Sequence, residues 1–374
     1  MKITSVVMLS RAFHPAIGGA EKQALELARA LAGRGVKVTV LTGRPVGLAA
    51  EETLDGIFIK RLSGAGAAAF RLKSFSWLLS HSGEYQAVHT RLFSAAAAAL
   101  AARFTGRKTL VKIAGEDGVQ LLPRSLAGRL TLALLRSAGA ELLIMNREEG
   151  GKLKTDPAFA GLRLHSFRNG VDTGRYTPPL YNEKINAKTA IGLDNSPVFL
   201  YVGRLSPEKR VLEFVENWAQ ILSEEAVPPK MRLLIVGGGA EEGALRRTVN
   251  DLGLAGSVTV VGPKDDLLPY YRAADVFILP SLSGEISNSM LEAMACGAAI
   301  MANRAGAARE AVEPGVSGCL FDPASRQELK ACLLGYTADR GLAVKMGEQA
   351  RRTAVEKYSM ARLADELLKI YGET

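Results

Sequence analysis

Cysteine, histidine and aromatic side chains are scarce in this 374-residue chain. The three cysteines, Cys296, Cys319 and Cys332, have spacings that match neither paired zinc ligands nor a disulfide framework, so a reducing cytoplasm is the expected setting. The four histidines stand apart from one another, as structural histidines do; only His89, at the end of a strand-like run, falls at a site-forming position. Aromatic residues make up 6%, few for stacking on bases, and no nucleic-acid-binding module is present. Long apolar runs are missing too. The nearest approach, residues 125–145, is interrupted by Arg129, Arg136 and Glu141 and falls short of a membrane span. The first ten residues carry too short an apolar run for a signal peptide. A soluble protein is expected, or one resting on a membrane surface. There is no tandem repeat, and the alanine tract at 95–99 reads as plain helix.

What is present is a globular composition with 48% hydrophobic residues, which excludes disorder and collagen-like architectures. The length suits two domains. A net charge of +9 is unevenly spread: residues 1–172 hold 24 Lys+Arg against 13 Asp+Glu, a net of +11, whereas residues 173–374 are at −2.

Strand-like β-branched runs alternate with helical patterns along the whole chain. In the first half, residues 2–9, 36–41, 56–62, 87–90, 109–113 and 142–145 read as strands, with helices at 20–32, 94–104 and 125–138. A polar, proline-containing stretch at 169–179 follows. Then come strands at 197–202, 232–236, 258–261, 276–279 and 299–302, with helices at 211–223, 240–252, 267–274 and 289–296. This is the signature of α/β architecture with two consecutive doubly wound, Rossmann-like domains. Ligands of such sheets bind beyond the carboxyl ends of the strands, so a cleft between the domains is the expected site.

Three segments there carry chemistry. Gly18-Gly19, between the first strand and helix, can bring backbone N–H groups close to an anion. Arg204 and Lys209, just after the strand ending at Gly203, can converge on a diphosphate. The loop 280–289, with Glu285, Ser287, Asn288 and Ser289, leads into a helix carrying Glu292, and offers carboxylates and amides to a sugar; N-capping by Asn288 or Ser289 is its plainer reading. The Gly237-Gly238-Gly239 run matches a dinucleotide fingerprint poorly, since position 242 is Glu and the next strand lacks a terminal acid. It reads as a tight turn.

Taken together, these motifs resemble a GT-B glycosyltransferase of the large retaining group often called family 4, which includes glycogen synthase-like and phosphatidylinositol mannosyltransferase-like enzymes. The resemblance runs through Gly18-Gly19-Ala20-Glu21, Val88-His89-Thr90, Asn169-Gly170-Val171-Asp172, Gly203-Arg204 with Lys209, residues 274–281, 291–297 and the tail around Tyr358-Ser359. It implies an acceptor-binding domain over 1–170, a donor-binding domain over 175–357, and a C-terminal helix, 358–374, packing back on the first domain. It also implies roles. Arg204 and Lys209 hold the donor diphosphate, Glu292 the ribose, Gly18 and Gly19 the distal phosphate, Asn288 and Ser289 line the donor site, and Glu285 serves the transferred sugar. His89, Glu116 and Asp117 are the acceptor-side candidates. Fixed cations and helix dipoles would stabilise the departing nucleoside diphosphate, so neither metal nor cofactor is expected; Asp265-Asp266 reads as a structural pair.

The chain departs from the family pattern at Gly284, where a glutamate is usual, at Ala114 and Arg91, where histidines are usual, and at Arg210, which replaces a glycine. Glu285 is offset by one from the usual glutamate. The implied activity is transfer of a sugar from a nucleotide sugar, UDP-linked in this reading, to a glycan or lipid-linked glycan in cell-surface polysaccharide, lipopolysaccharide or glycoconjugate synthesis. Gly284 and Ala114 leave a sugar epimerase, hydrolase or phosphorylase as the alternative. The basic first half, with Arg61, Arg71, Lys73, Arg103, Arg107, Lys108, Arg124, Arg129 and Arg136, suggests docking on an anionic membrane surface at the inner face of the cytoplasmic membrane, against a simple solvated basic face. A nucleic-acid partner is not expected.

Overall fold

The computed structural model describes residues 3–16, 18–64, 66–113, 119, 122–224, 230–282 and 286–372. The chain forms two compact units, Met1–Gly170 with Met360–Thr374, and Val171–Ser359.

The first unit is built on β1 (Ser5–Leu9), β2 (Lys37–Gly43), β3 (Glu51–Leu54), β4 (Ile57–Leu62), β5 (Ala87–Arg91), β6 (Lys108–Ile113), β7 (Glu141–Ile144) and β8 (Arg163–Ser166). Its order is β3-β4-β2-β1-β5-β6-β7-β8, parallel except for the β3–β4 pair. Helices α1 (Gly19–Ala32), α2 (Ala67–Ser80), α3 (Ala95–Thr105), α4 (Leu126–Ser137) and α5 (Arg147–Thr155) supply the crossovers. Because strand side chains alternate, β1 feeds two cores. Val6 and Met8 join Leu27, Ala28 and Leu31 of α1 on one face, while Val7 and Leu9 join Phe70 and Leu78 of α2 on the other. Burial on both faces is why such strands read as continuous apolar runs.

The second unit contains β9 (Val198–Val202), β10 (Arg232–Val236), β11 (Val258–Gly262), β12 (Val276–Leu279), β13 (Ala299–Asn303) and β14 (Gly318–Phe321). All are parallel, in the order β11-β10-β9-β12-β13-β14. Helices α6 (Tyr181–Ala190), α7 (Val211–Glu224), α8 (Glu242–Asp251), α9 (Leu268–Ala273), α10 (Asn288–Ala295), α11 (Arg326–Ala338) and α12 (Arg340–Tyr358) complete it. Along α7, Val211, Phe214, Val215, Trp218 and Ile221 are buried, a helical 3–4 spacing, and Trp218 meets Phe199 of β9 edge-on at 5.5 Å.

The final helix, α13 (Met360–Gly372), belongs to the first unit. It buries Met360, Leu363, Leu367, Ile370 and Tyr371 in the same core as α1. Each large side chain so buried is worth about 1.5–3 kcal/mol.

At the amino edge of the second sheet, Asp275 anchors α6. Its carboxylate accepts from Val198 N at 2.8 Å and pairs with Lys184 at 2.6 Å and Lys188 at 2.7 Å. Burial alone would raise its pKa, but the two lysines outweigh that and hold it below the ordinary aspartate value.

Three local features differ from the sequence reading. The strand expected at 56–62 is present as β4, but it also forms a hairpin with the unanticipated β3, in which Lys60 faces Glu51 and Arg61 pairs with Glu52. The reading from 62 to 87 overlooks α2, because its apolar residues surround the helix rather than forming one stripe. Finally, Cys319 and Cys332 are joined as a disulfide, Cα–Cα 6.2 Å. Spacing along the chain does not reveal this pair; packing of α11 on β14 creates it.

Candidate active site

The strand order of the second sheet reverses between β9 and β12, which are neighbours in register from Val276↔Phe199. The loop after β9 carries Arg204 and Lys209; the loop after β12 leads into α10. Both therefore leave the same carboxyl edge from adjacent strands, at the position where doubly wound sheets bind ligands.

The first loop is held from below. The Tyr201 hydroxyl donates to Arg204 O at 2.9 Å, and Leu205 N donates to Gly238 O at 2.9 Å. A Cβ on Gly203 would come within 2.8 Å of the Tyr201 hydroxyl, so a side chain there would displace that bond. Ser206 Oγ donates to Glu208 Oε1 at 2.6 Å, and a 3-10 turn over Pro207–Lys209 closes with Arg210 in the left-handed region at φ 55°. Arg204 is left exposed and Lys209 half-buried.

The glycine run after β10 is a packing device. Gly237 and Gly239 have φ of 141° and 157°, and Cβ atoms there would strike the carbonyls of Gly203 and Leu205. Their absence lets this turn press against the Arg204 loop.

Asn288 and Ser289 occupy the first two positions of α10, and the N-cap is Ser287, which makes no side-chain capping bond. The capping reading of Asn288 and Ser289 is therefore corrected. The Ser287 and Ser289 hydroxyls instead bond to each other at 2.8 Å. Glu292 lies in the second turn of α10 and is 4% exposed. Its charge reaches Cys296 and Tyr271: burial first, and Glu292 second, push the Cys296 thiol up to about 12 and hold the Tyr271 hydroxyl well above its ordinary value. Asn303, unanticipated from sequence, secures the β12 loop by donating to Pro280 O at 3.1 Å while accepting from Ala305 N at 2.9 Å. Glu285, with Gly284, lies outside the described residues.

In the first unit the order reverses between β1 and β5. There a cavity of about 960 Å³ opens, lined by Arg11, Glu21, Arg71, Arg91, Phe93 and Lys112 together with parts of α4. The Gly18-Gly19 turn starts α1 without a side-chain cap, and a Cβ on Gly18 would collide with the Glu21 carboxylate. His89 does not line this cavity among the described residues. It is 5% exposed, with Nδ1 at 3.1 Å from the Tyr371 hydroxyl, and burial first and the Lys112 charge second push its pKa down to about 3. Glu116, Asp117 and Ala114 lie outside the described residues.

Several basic side chains of this unit also make bonds within it. Arg61 is buried against Glu52 and two carbonyls, Arg107 donates to Ser82 O, Arg129 to Pro123 O, and Arg136 to Ala158 O and Ala160 O. Among the described residues no group of three or more His, Cys, Asp or Glu side chains could hold a metal ion. Asp266 accepts from Leu268 N at 3.2 Å, a helix-start role.

A family model described as Glycosyl transferases group 1 matches residues 196–339, and one described as Glycosyltransferase Family 4 matches residues 17–175. The chain belongs to the GT-B glycosyltransferases of the group 1, family 4-like kind. It is 29% identical over 243 residues to the D-inositol 3-phosphate glycosyltransferase of Rhodococcus jostii (strain RHA1), covering 63% of this chain and 53% of that protein. It is 28% identical over 253 residues to the alpha-maltose-1-phosphate synthase of Mycolicibacterium smegmatis (strain ATCC 700084 / mc(2)155), covering 63% and 64%. These matches thus span between half and two thirds of the relatives' lengths. The structure of Anabaena Alr3699/HepE in complex with UDP and glucose superposes with a TM-score of 0.77 at 20% identity, covering all of both chains.

Proposed function

We propose that this chain is a retaining glycosyltransferase, taking a sugar from a nucleotide sugar, UDP-linked, to a hydroxyl of a glycan or lipid-linked glycan. The observation that carries the reading is the pairing of the Arg204/Lys209 loop with the α10 entrance at the reversal point of the second sheet. Here Arg204 and Lys209 neutralise the diphosphate, Glu292 binds the ribose, Asn288 and Ser289 face the donor, and the Gly18-Gly19 amides take the distal phosphate. The sugar C1–O bond to the diphosphate breaks, and the acceptor oxygen forms its bond on the same face. The departing phosphate oxygen receives the acceptor's proton, so fixed cations stabilise the charge that develops. The fold shared with a protein crystallised with UDP and glucose supports the donor class.

The test is calorimetric titration of UDP into wild type and into the Arg204→Ala/Lys209→Ala double variant. Loss of at least tenfold in affinity is expected; equal affinity removes the assignment.

The same reading has the first unit working against an anionic bilayer on the cytoplasmic side. Supporting it, Leu126 and Leu130 are 76% and 58% exposed one turn apart on α4, beside the exposed Arg124 and Arg129. No helix among the described residues is long and apolar enough to cross a membrane. Sedimentation with anionic and neutral vesicles tests it: preference for the anionic ones is expected, and equal partition removes the idea.

A further inference from the structure

One edge of the second sheet is closed by a bond that sugar transfer does not use. β14 stands last in the strand order, beside β13, and its Cys319 is joined to Cys332 of α11, thirteen residues further on. The helix has other anchors besides that bond. Leu329, Cys332, Leu333 and Tyr336 are buried at helical 3–4 spacing, and the Tyr336 hydroxyl donates to Ile300 O of β13 at 3.2 Å. With the bond open, Cys332 packs as a small apolar side chain. The same fold therefore accommodates the pair as two thiols or as a disulfide.

The two sulfurs differ in access. Cys319 is half-buried and lies just beyond the exposed turn 313–316, whereas Cys332 is 9% exposed. The remaining cysteine, Cys296, is buried, and its thiol, pushed up to about 12, keeps its proton at neutral pH and stays out of thiol exchange. A small disulfide arriving from solution meets Cys319 first.

The elements joined by this bond are connected to the loop that enters α10. Glu328 of α11 accepts from Asp322 N, at the end of β14, at 2.9 Å and from Arg304 Nη2 at 2.6 Å. Arg304 N donates to Phe321 O of β14 at 2.9 Å, and the preceding residue, Asn303, is the one that holds Pro280 O. Opening the bond leaves β14, α11 and the end of β13 on non-covalent contacts at a sheet edge, where local opening costs least.

We propose that Cys319 and Cys332 are a reversible redox switch, in which a low-molecular-weight disulfide such as glutathione disulfide closes the pair and thereby steadies the loop between β12 and α10. The Cys319 thiolate attacks one sulfur of glutathione disulfide and expels a glutathione thiolate. The Cys332 thiolate then attacks the Cys319 sulfur of the mixed disulfide and expels the second glutathione. Two electrons pass from the cysteines to glutathione disulfide, and the two thiol protons end on the released thiols. Excess glutathione runs the same steps in reverse. The consequence for ligand binding rests on the reading of α10 as part of the UDP site.

The full chain is equilibrated in glutathione buffers from reduced to oxidised, and free thiols are counted by maleimide labelling after acid quenching and unfolding. Three thiols are expected in the reduced limit and one in the oxidised limit. The oxidised chain should melt at least about 5 °C higher. Its amide hydrogens over residues 280–289 and 299–303 should exchange at least about threefold more slowly, and UDP should bind at least about threefold more tightly. Cys319→Ser, at a half-buried position, should melt at one temperature in both buffers and exchange and bind as reduced wild type does. Three thiols in every buffer, or a midpoint that ignores oxidation, overturns the switch. A pair that closes and raises the midpoint while exchange in both segments stays constant is a staple only, which also overturns it. If the exchange responds but UDP binds in neither state, the donor-site reading is what falls, and the switch stands.

Discussion

The Tyr201 hydroxyl donates to the carbonyl of Arg204, three residues further along, at 2.9 Å. A side chain at the end of a buried strand thereby sets the height of the loop that carries the first of the two cations. Burial pushes the Tyr201 pKa upward, so the hydroxyl keeps its proton throughout the neutral range. Tyr201→Phe removes a hydrogen bond worth about 1 kcal/mol. Calorimetry should show UDP affinity reduced about three- to tenfold, with the thermal midpoint lowered by about 2–4 °C. Full retention of affinity would show that the loop holds its shape without this bond.

Asp275 is expected to matter for stability and not for chemistry, since it sits at the edge of the sheet opposite the site. Asp275→Asn leaves Lys188 buried without its carboxylate, at a cost of about 3–5 kcal/mol. Its folded pKa is depressed, so its contribution is complete above the ordinary aspartate value and disappears as pH falls through the lower folded one. Urea unfolding from pH 7 down to pH 3 should show the variant losing less stability than wild type.

His89 supplies a second acid-sensitive term. Its pKa is lowered from 6.5 to about 3, so in that window the unfolded chain binds a proton that the native state does not. Stability should fall as pH drops through this window, by at most about 1.4 kcal/mol per pH unit. His89→Gln should flatten that slope in denaturant titrations at pH 7, 6 and 5. An unchanged slope would assign the acid sensitivity elsewhere.

Arg210 occupies a left-handed position where the family pattern has glycine, and its guanidinium forks onto Glu213 at 2.7 and 2.8 Å. A non-glycine residue there costs about 1–2 kcal/mol, and a partly exposed ion pair returns about 0–1 kcal/mol. These two figures place Arg210→Gly between no change and about 2 kcal/mol of added stability. A clear loss of stability in a urea titration would mean that the Glu213 fork anchors the loop.

Legibility from sequence followed burial. Strands such as Arg232–Val236 and Val276–Leu279 are recovered to the residue, because a parallel strand covered on both faces must be apolar throughout. The β3–β4 hairpin is missed although Asp55-Gly56 is a legible turn signal, because Glu51, Glu52, Lys60 and Arg61 mask the apolar alternation of its arms. In the second unit the placement of Arg204 and Lys209 just after a strand is legible because they follow its end directly. Asn303 is not, since its role exists only through the carbonyl of Pro280, 23 residues away.

By itself the sequence determined the α/β class, the two successive sets of strands and helices, and the cation-bearing loop after β9. Those features depend on local periodicity and on motifs contiguous in the chain. The tertiary structure decided where the charges stand. Arg61, Arg107 and Arg136 enter a sequence count as equal parts of a basic surface, yet their guanidinium groups are occupied by carbonyls or a carboxylate within the unit. Arg11, Arg71, Arg91 and Lys112, spread over a hundred residues, become neighbours only because the sheet orders β1, β5 and β6 side by side and lays α2 across them. Strand pairing brings distant residues together, and no spacing along the chain encodes that.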